Sequence, residues 1–229
     1  MINLLFRNLV SSCCVSCREG VPDGPEFLCG KCRAGLETVH APYCPSCGGD
    51  NDGIFEVCRN CLHEDRPWGK AVSVARMEGS ARALIHRYKY RNETALARTW
   101  GVLAAKAMMQ RGLRADMIVP MPLHWMRLMI RGYNQADLLS QVLSAESGIP
   151  LVHALARPRH TRAQATLSKN ERRKNLKSVF SAKRQDRIEK RTILLVDDVL
   201  TTGSTLAAAT EVLLESGAAE VNVLVLARG

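Results

Sequence analysis

One segment, residues 193–205, concentrates the side chains of this chain that are best suited to bind a ligand. It reads Ile-Leu-Leu-Val-Asp-Asp-Val-Leu-Thr-Thr-Gly-Ser-Thr. Four apolar residues predict a buried strand that ends in Asp197 and Asp198, and a helix pattern follows the polar loop. The carboxylates can accept hydrogen bonds from sugar hydroxyls, and loop amides at the positive end of a helix can wrap a phosphate. The segment predicts a site for a phosphorylated sugar, with the phosphate held by Thr201, Thr202, Gly203, Ser204 and Thr205.

The composition of this loop restricts the phosphate that it can hold. The loop lacks the lysine of a triphosphate-binding loop, and the spacing Gly-x4-Gly-Lys is absent. This favours a monophosphate, held by amides and threonine hydroxyls. Gly203 permits close backbone approach or a positive φ angle. The alternative is a plain strand, turn and helix with a threonine cap, and the two adjacent acids argue against it.

Two further segments supply positive charge. An apolar run at 117–119 leads into a proline-containing loop that is followed by Arg127 and Arg131. Arginines beside a helix start suit a second phosphate group, although an exposed helix face would contain the same residues. Residues 157–173 are basic and polar without clear apolar periodicity, which is typical of a mobile lid over a substrate.

The net charge of +10 is unevenly spread along the chain. Residues 157–191 contain 13 Lys and Arg against 3 Asp and Glu, whereas residues 1–67 contain 6 against 9. A local basic block predicts a polyanionic partner, either pyrophosphate or nucleic acid, and a solvated loop is the alternative. The residues expected to contact nucleic acid are Arg162, Lys169, Arg172, Arg173 and Lys174.

All nine cysteines precede residue 62, and eight of them form four Cys-x-x-Cys pairs. Each pair points two thiolates at one tetrahedral centre, so four pairs predict two four-thiolate zinc sites. Disulfides and a redox-active pair are the alternatives, and the lack of any export signal argues against disulfides. Cys13 is the odd residue, since Cys14 keeps the shared spacing. The predicted ligands are Cys14, Cys17, Cys29, Cys32, Cys44, Cys47, Cys58 and Cys61.

The cysteine-rich segment is rich in Gly and Pro and poor in apolar residues, so bound zinc is expected to stabilise its fold. Sequential pairing of the knuckles gives two stacked ribbons, and crossed pairing gives an interleaved module. The repeat favours sequential pairing, but the spacing alone leaves both open.

The rest of the chain alternates strand and helix patterns. Strands are predicted at 71–75, 117–119, 193–196 and 221–226, and helices at 80–88, 94–110, 134–146 and 204–215. Such alternation predicts an α/β fold with a parallel sheet covered on both faces, and the ligand at the carboxyl ends of its strands. We expect two domains, a double zinc-ribbon-like module at 1–67 and an α/β domain at 68–229. No apolar run is long enough for a membrane span and no secretory signal is evident, so a cytoplasmic protein is expected.

Segment 193–205 resembles the phosphoribosyl pyrophosphate (PRPP) motif of type I phosphoribosyltransferases. The cysteine pairs, together with Arg131-Gly-Tyr-Asn-Gln135, Gln164 and Arg173-x-Asn175-x4-Phe180, are similar to the ComF family over nearly the whole chain. The resemblance implies a type I phosphoribosyltransferase fold, zinc in the N-terminal module, and a link to DNA uptake or the use of external DNA. It does not fix a reaction.

The resemblance also implies roles for individual residues. Asp197 and Asp198 bind the ribose hydroxyls directly or through Mg²⁺, residues 201–205 hold the 5′-phosphate, and Arg127 and Arg131 meet the pyrophosphate. Asp197, Asp198 and Arg131 would be the catalytic residues, acting by positioning and charge neutralisation. Purine-salvage members carry an aspartate where this chain has Thr201, which argues against ordinary purine salvage and leaves the general base unassigned.

Three functional hypotheses follow. The first is a PRPP-binding, phosphoribosyltransferase-like protein of DNA uptake, with Mg²⁺ and PRPP bound together. The second is a non-catalytic adaptor for single-stranded DNA, in which basic side chains contact phosphates and affinity falls steeply with salt. The third gives the acidic zinc module a protein partner such as a helicase.

Overall fold

Strands and helices alternate along the part of the chain that the computed structural model describes, residues 13–157 and 179–229. The strands are β1 (Ala71–Arg76), β2 (Met117–Pro120), β3 (Leu155–Ala156), β4 (Ser181–Ala182), β5 (Thr192–Leu200) and β6 (Glu220–Arg228). The helices are α1 (Gly30–Ala34), α2 (Gly79–Tyr90), α3 (Leu96–Gln110), α4 (Trp125–Arg131), α5 (Gln135–Ser147), α6 (Gln185–Ile188) and α7 (Ser204–Glu215). The chain therefore has the predicted α/β class.

Four of these strands form one parallel sheet in the order β1–β6–β5–β2. Because the strands are parallel, the loops that follow β2 and β5 leave the sheet at the same edge. Pro120, the last residue of β2, pairs with Val196, so the loop after β2 begins beside Asp197 of β5. Strands β3 and β4 form a separate antiparallel pair.

The sheet is buried on both faces, which explains the continuous apolar runs of its strands. Along β5, Leu194 and Val196 belong to the core on one face, together with residues of α2, α3 and α5. Ile193 and Leu195 belong to the core on the other face, which α7 covers. Both cores are needed to hold β5 in place, and β5 carries the two adjacent aspartates.

One predicted strand boundary differs from the structure, and two short strands were not predicted. Strand β5 does not end before the carboxylates but continues through Asp197 and Asp198 to Leu200, because β6 runs beside it as far as Arg228. The two-residue strands β3 and β4 have no periodicity to find in the sequence. Helix α7 has the predicted bounds, and Gly217 beyond its end has a φ of +96°.

The cysteine-rich segment packs along β1, the outer strand of the sheet. The amide of Val39 donates to the carbonyl of Val74, and the amide of Arg76 donates to that of Glu37. Thr38 and Ala75 form an antiparallel bridge. These contacts cover the edge of β1 that would otherwise present unpaired backbone groups.

Candidate phosphoribosyl site and metal centres

The polar loop at residues 201–205 joins the end of β5 to the N-terminus of α7. Gly203 occupies the N-cap position of α7 with a φ of +78°, a conformation that glycine adopts without strain. The Thr202 hydroxyl lies 3.1 Å from that of Ser204 and accepts from the Ser204 amide at 3.4 Å. The first amides of α7 therefore face the cavity described below with the positive end of the helix dipole, the geometry that binds a phosphate.

The two aspartates of β5 differ in their surroundings. Asp198 forms an ion pair with Lys89 at 2.8 Å, and both side chains are largely buried. Asp197 accepts a hydrogen bond from the Asp198 amide at 2.8 Å. Burial, and next the negative charge of Asp198, raise the pKa of Asp197 from its usual 3.8 to about 7. A hydroxyl-bearing or cationic ligand would stabilise the ionised form of this pair.

Residues after β2 form another wall of the cavity described below. His124 caps α4 by accepting from the Met126 amide, and Asn134 caps α5 by accepting from the Ala136 amide. Asn134 also donates to the carbonyl of Met121 at 3.0 Å, which ties the start of α5 to the end of β2. These caps fix the position of α4, and thereby of its two arginines.

Arg131 donates to Gln135 at 3.1 Å and its guanidinium lies 4.9 Å from the centre of the Tyr90 ring. Arg127 lies one turn earlier and lines the same cavity. The remaining side chains of α4, from Trp125 to Ile130, are exposed and mostly apolar. Helix α4 thus combines an exposed apolar surface with two arginines at the cavity. The phosphate-site interpretation describes the arginines, and the exposed-helix interpretation describes the rest of the helix.

One cavity of about 270 Å³ brings these groups together. Four cationic side chains and two carboxylates line it, so it carries excess positive charge beside a local acidic pair. The sequence-predicted residues that line it are Asp197, Asp198, Thr201, Thr202, Gly203, Ser204, Thr205, Arg127 and Arg131. The five predicted nucleic-acid contacts, Arg162, Lys169, Arg172, Arg173 and Lys174, lie outside the described residues.

Two further cations line this cavity. Sequence reasoning missed Lys89 and included Arg157 only as part of the basic segment 157–173. Lys89 is one of 32 lysines and arginines and follows the predicted end of a helix, so no local signal marks it. Arg157 is the first residue of the basic block. Its guanidinium lies 5.5 Å from the centre of the Phe180 ring, and burial followed by the charge of Arg127 lowers its pKa. A partly buried cation beside a second one predicts an anionic ligand.

The eight paired cysteines form two separate groups. Within each group the sulfur atoms all lie within 4.8 Å of one another. The groups join the knuckles sequentially, the arrangement that the repeat favours. The first cluster contains Cys14, Cys17, Cys29 and Cys32, and the second cluster contains Cys44, Cys47, Cys58 and Cys61.

The geometry of both clusters fits a structural zinc ion. Zinc–sulfur bonds of about 2.3 Å in a tetrahedron place the sulfurs about 3.8 Å apart. Cys17 and Cys29 are 4.0 Å apart, and Cys47 and Cys58 are 3.8 Å apart. All of these cysteines are free thiols. Backbone amides, chiefly that of Gly20, lower the pKa of Cys17 to about 6.

None of the described helices is long and apolar enough to cross a membrane. The longest, α3, has 15 residues.

Comparisons with known proteins give a consistent identity. A family model described as the phosphoribosyl transferase domain matches residues 129–229. Competence protein F of Haemophilus influenzae is 37% identical, over 97% of this chain and 100% of that protein. The DNA utilization protein YhgH of Escherichia coli is 36% identical, over 96% of this chain and 98% of that protein. Competence protein ComFC of Bacillus subtilis is 29% identical, over 89% and 85%.

The likeness to solved structures is more distant. The allosteric regulatory enzyme of purine biosynthesis is 18% identical over 62% of this chain, with a TM-score of 0.43. UMP synthase of Leishmania donovani is 20% identical over 63% of this chain, with a TM-score of 0.38. The matched region spans 30% and 24% of those two chains.

Proposed function

This chain belongs to the ComF family, and from that premise we propose that it binds PRPP with Mg²⁺ in the cavity between β5, α4 and α7. It is a competence-related protein with a phosphoribosyltransferase domain. The observation that carries the proposal is that the 201–205 loop, the paired aspartates and the arginines of α4 all line one cavity. These three groups match the 5′-phosphate, the ribose and the pyrophosphate of PRPP, respectively.

The proposed roles follow from the chemistry of each group. The amides and hydroxyls of residues 201–205 hold the 5′-phosphate at the N-terminus of α7. Asp197 and Asp198 accept from the ribose 2′- and 3′-hydroxyls or bind Mg²⁺, which prefers carboxylate oxygens. Arg127 and Arg131 bind the pyrophosphate, and Arg131 neutralises its charge as it leaves the anomeric carbon. Lys89 and Arg157, which the sequence did not single out, add positive charge to the same cavity.

The wider assignment rests on the clusters and on the relatives' names. We propose one zinc ion in each cysteine cluster and a cytoplasmic location, where thiols remain reduced. We retain the domain boundary between residues 67 and 68, at the Pro67-Trp68-Gly69 segment. Two of the relatives are named for competence and one for DNA utilization, and we propose the same role in DNA uptake or use here.

Calorimetry with Mg²⁺ and PRPP tests the proposal. The Asp197→Ala/Asp198→Ala double variant loses charged hydrogen-bond acceptors worth about 2–4 kcal/mol together, so its affinity is expected to fall on the order of 100-fold. Asp116→Ala is the control, because Asp116 precedes β2 at the opposite edge of the sheet. Equal affinities of the wild type and the double variant would rule the site out. A second assay, for release of pyrophosphate from PRPP, then distinguishes an enzyme from a protein that only binds PRPP.

A second candidate, a non-catalytic adaptor for single-stranded DNA, is favoured by the charge of the chain near β4 and α6. Lys183, Arg184, Arg187, Lys190 and Arg191 are all exposed there, next to the basic residues 158–178. Phosphate contacts without base recognition predict an affinity that falls steeply with salt. A gel-shift series with a single-stranded oligonucleotide at 50–200 mM salt tests it, and salt-independent binding contradicts it.

A protein partner such as a helicase remains a third proposal. Its support is the acidic balance of residues 1–67, which suits protein docking better than DNA binding. Pull-down of a candidate helicase by the full chain tests it, with charge-reversed variants of exposed acidic residues in the module as controls.

A further inference from the structure

The two cysteine clusters lie on opposite faces of the parallel sheet. Cys14 of the first cluster belongs to the core with α2, α3 and α5. Cys44, Cys47 and Cys61 of the second cluster belong to the other core, with α7 and Trp68. Only this second core also contains Leu200 and Leu206, which flank the 201–205 loop. The second cluster is therefore packed on the same face as the loop.

Trp68 connects the second cluster to the loop directly. Its indole N–H donates to the carbonyl of Ser46, inside the Cys44-Pro-Ser-Cys47 knuckle, at 2.8 Å. Its ring packs on the backbone of Gly203, where an added Cβ would lie only 3.0 Å from the ring carbon Cη2. The side chain is 5% exposed. One buried ring thus contacts the metal knuckle at its N–H edge and the phosphate loop at its far edge.

Arg228 makes a second connection between the same two parts. Its guanidinium donates to the carbonyl of Thr201 at 3.3 Å, at the start of the loop. Its side-chain stem lies 3.6 Å from the position of a Cβ on Gly49, two residues after Cys47. The loop is consequently held against the Cys44–Cys47 knuckle of the second cluster at both Thr201 and Gly203.

We propose that the second cluster, through Trp68, positions the phosphate loop, so that metal binding to this cluster controls affinity for the phosphorylated ligand. Trp68 is a positioning residue and does not line the cavity. A small displacement is sufficient, because amides at a helix N-terminus bind a phosphate only at hydrogen-bond distance. The first knuckle contacts α2, where Arg87 donates to the carbonyls of Val15 and Ser16, but the first cluster has no comparable contact with the loop among the described residues. Loss of its metal should therefore affect the ligand less than loss of the second. The proposal rests on the proposed phosphate site.

Two matched variants test the asymmetry. Cys58→Ser and Cys17→Ser each remove one thiolate, from the second and the first cluster respectively, and each is expected to lower the zinc content from two to one per chain. We expect Cys58→Ser to weaken PRPP binding about tenfold or more, since loss of one hydrogen bond from a loop amide to the charged phosphate has an effect of this size. Cys17→Ser should lose clearly less affinity than Cys58→Ser. Equal losses in the two variants would overturn the proposal.

Hydrogen exchange of the loop provides a readout that needs no ligand. The amides of residues 201–205 should exchange faster in Cys58→Ser and in Trp68→Leu than in the wild type or Cys17→Ser. If the wild type fails to bind PRPP, the proposed ligand is wrong, but this exchange difference still tests the coupling. Unchanged loop exchange in both Cys58→Ser and Trp68→Leu would refute it.

Trp68 variants test the path itself without disturbing a thiolate. Trp68→Leu should retain two zinc ions and lose PRPP affinity, because the contact between knuckle and loop is broken. Trp68→Phe keeps a ring against Gly203 but lacks the N–H that binds Ser46, so it should restore part of the affinity. If Trp68→Leu binds PRPP as the wild type does with both zinc ions present, Trp68 is not the connection.

Discussion

At the scale of single residues, Asp197 has the most unusual environment of the proposed site. It is partly buried next to Asp198, and its pKa is raised to about 7. A carboxyl that holds its proton more tightly in the folded state stabilises the fold at low pH. That contribution is complete below the unfolded pKa near 4 and is lost as pH rises through about 7.

Asp197→Asn should reverse this loss, because its amide is neutral at every pH and its oxygen can still accept from the Asp198 amide. We expect the variant to equal the wild type in free energy of unfolding near pH 4. At pH 8 it should exceed the wild type by about 1–3 kcal/mol, allowing for relaxation of the pair. Urea unfolding at both pH values measures the difference. Asp65→Asn, at an exposed position, is the control, and a parallel profile for the two variants would contradict the assignment.

At the scale of elements, the junction of β5 and α7 is the critical feature. The backbone turns at Gly203 with a positive φ, and Trp68 and Leu200 pack around its Cα. Helix α7 can begin at Ser204 with its amides toward the cavity only if this turn is kept. Steric fit and backbone conformation both require glycine at this position.

Substitution of Gly203 by Ala separates these two requirements when it is compared with Gly148→Ala. Both glycines have φ near +75°, so each substitution should cost about 1–2 kcal/mol of folding free energy. At Gly148 an added Cβ meets no described atom within 4 Å, whereas at Gly203 it lies 3.0 Å from Trp68. Thermal unfolding should therefore show a larger loss for Gly203→Ala, and calorimetry should show weaker PRPP binding in that variant alone. Equal losses would mean that the contact with Trp68 is compliant.

At the scale of the whole molecule, the cysteine module and the sheet form one packed body over the described residues. Arg111 donates to the carbonyl of Gly48 at 2.9 Å and to that of Ser73 at 2.7 Å. It thereby joins the Cys44–Cys47 knuckle to β1. Ser73 donates to the carbonyl of Cys47 at 2.8 Å. Loss of metal from the cysteine module should therefore also destabilise the sheet.

Metal removal tests this dependence. Native mass spectrometry should find two zinc ions per chain. A strong chelator should lower the thermal midpoint of the whole chain by about 10 °C or more, as a loss of several kcal/mol does for a protein of this size. Zinc, but not Mg²⁺, should restore the midpoint. A chain that keeps its midpoint after losing both ions would contradict a structural role for the metal.

Much of this protein is encoded locally. The four Cys-x-x-Cys pairs, the acidic pair with its loop, and the helices at 94–110 and 204–215 each depend on spacing within a few residues. Local spacing fixes which atoms a short segment can present, so the sequence alone indicated the α/β class, the paired cysteines and the polar loop that lines the cavity.

Other features arose only from tertiary packing, because they join residues distant in the chain. The sheet order brings Lys89 of α2 against Asp198 of β5, and Arg157 into the same cavity. The extension of β5 to Leu200 required β6 as a neighbour. Two further features depend on how the cysteine module packs on the sheet. They are the sequential pairing of the knuckles and the packing of Trp68 between the Cys44–Cys47 knuckle and Gly203. Contacts of this kind are set by the shape and burial of the whole fold, which no local pattern of residues records.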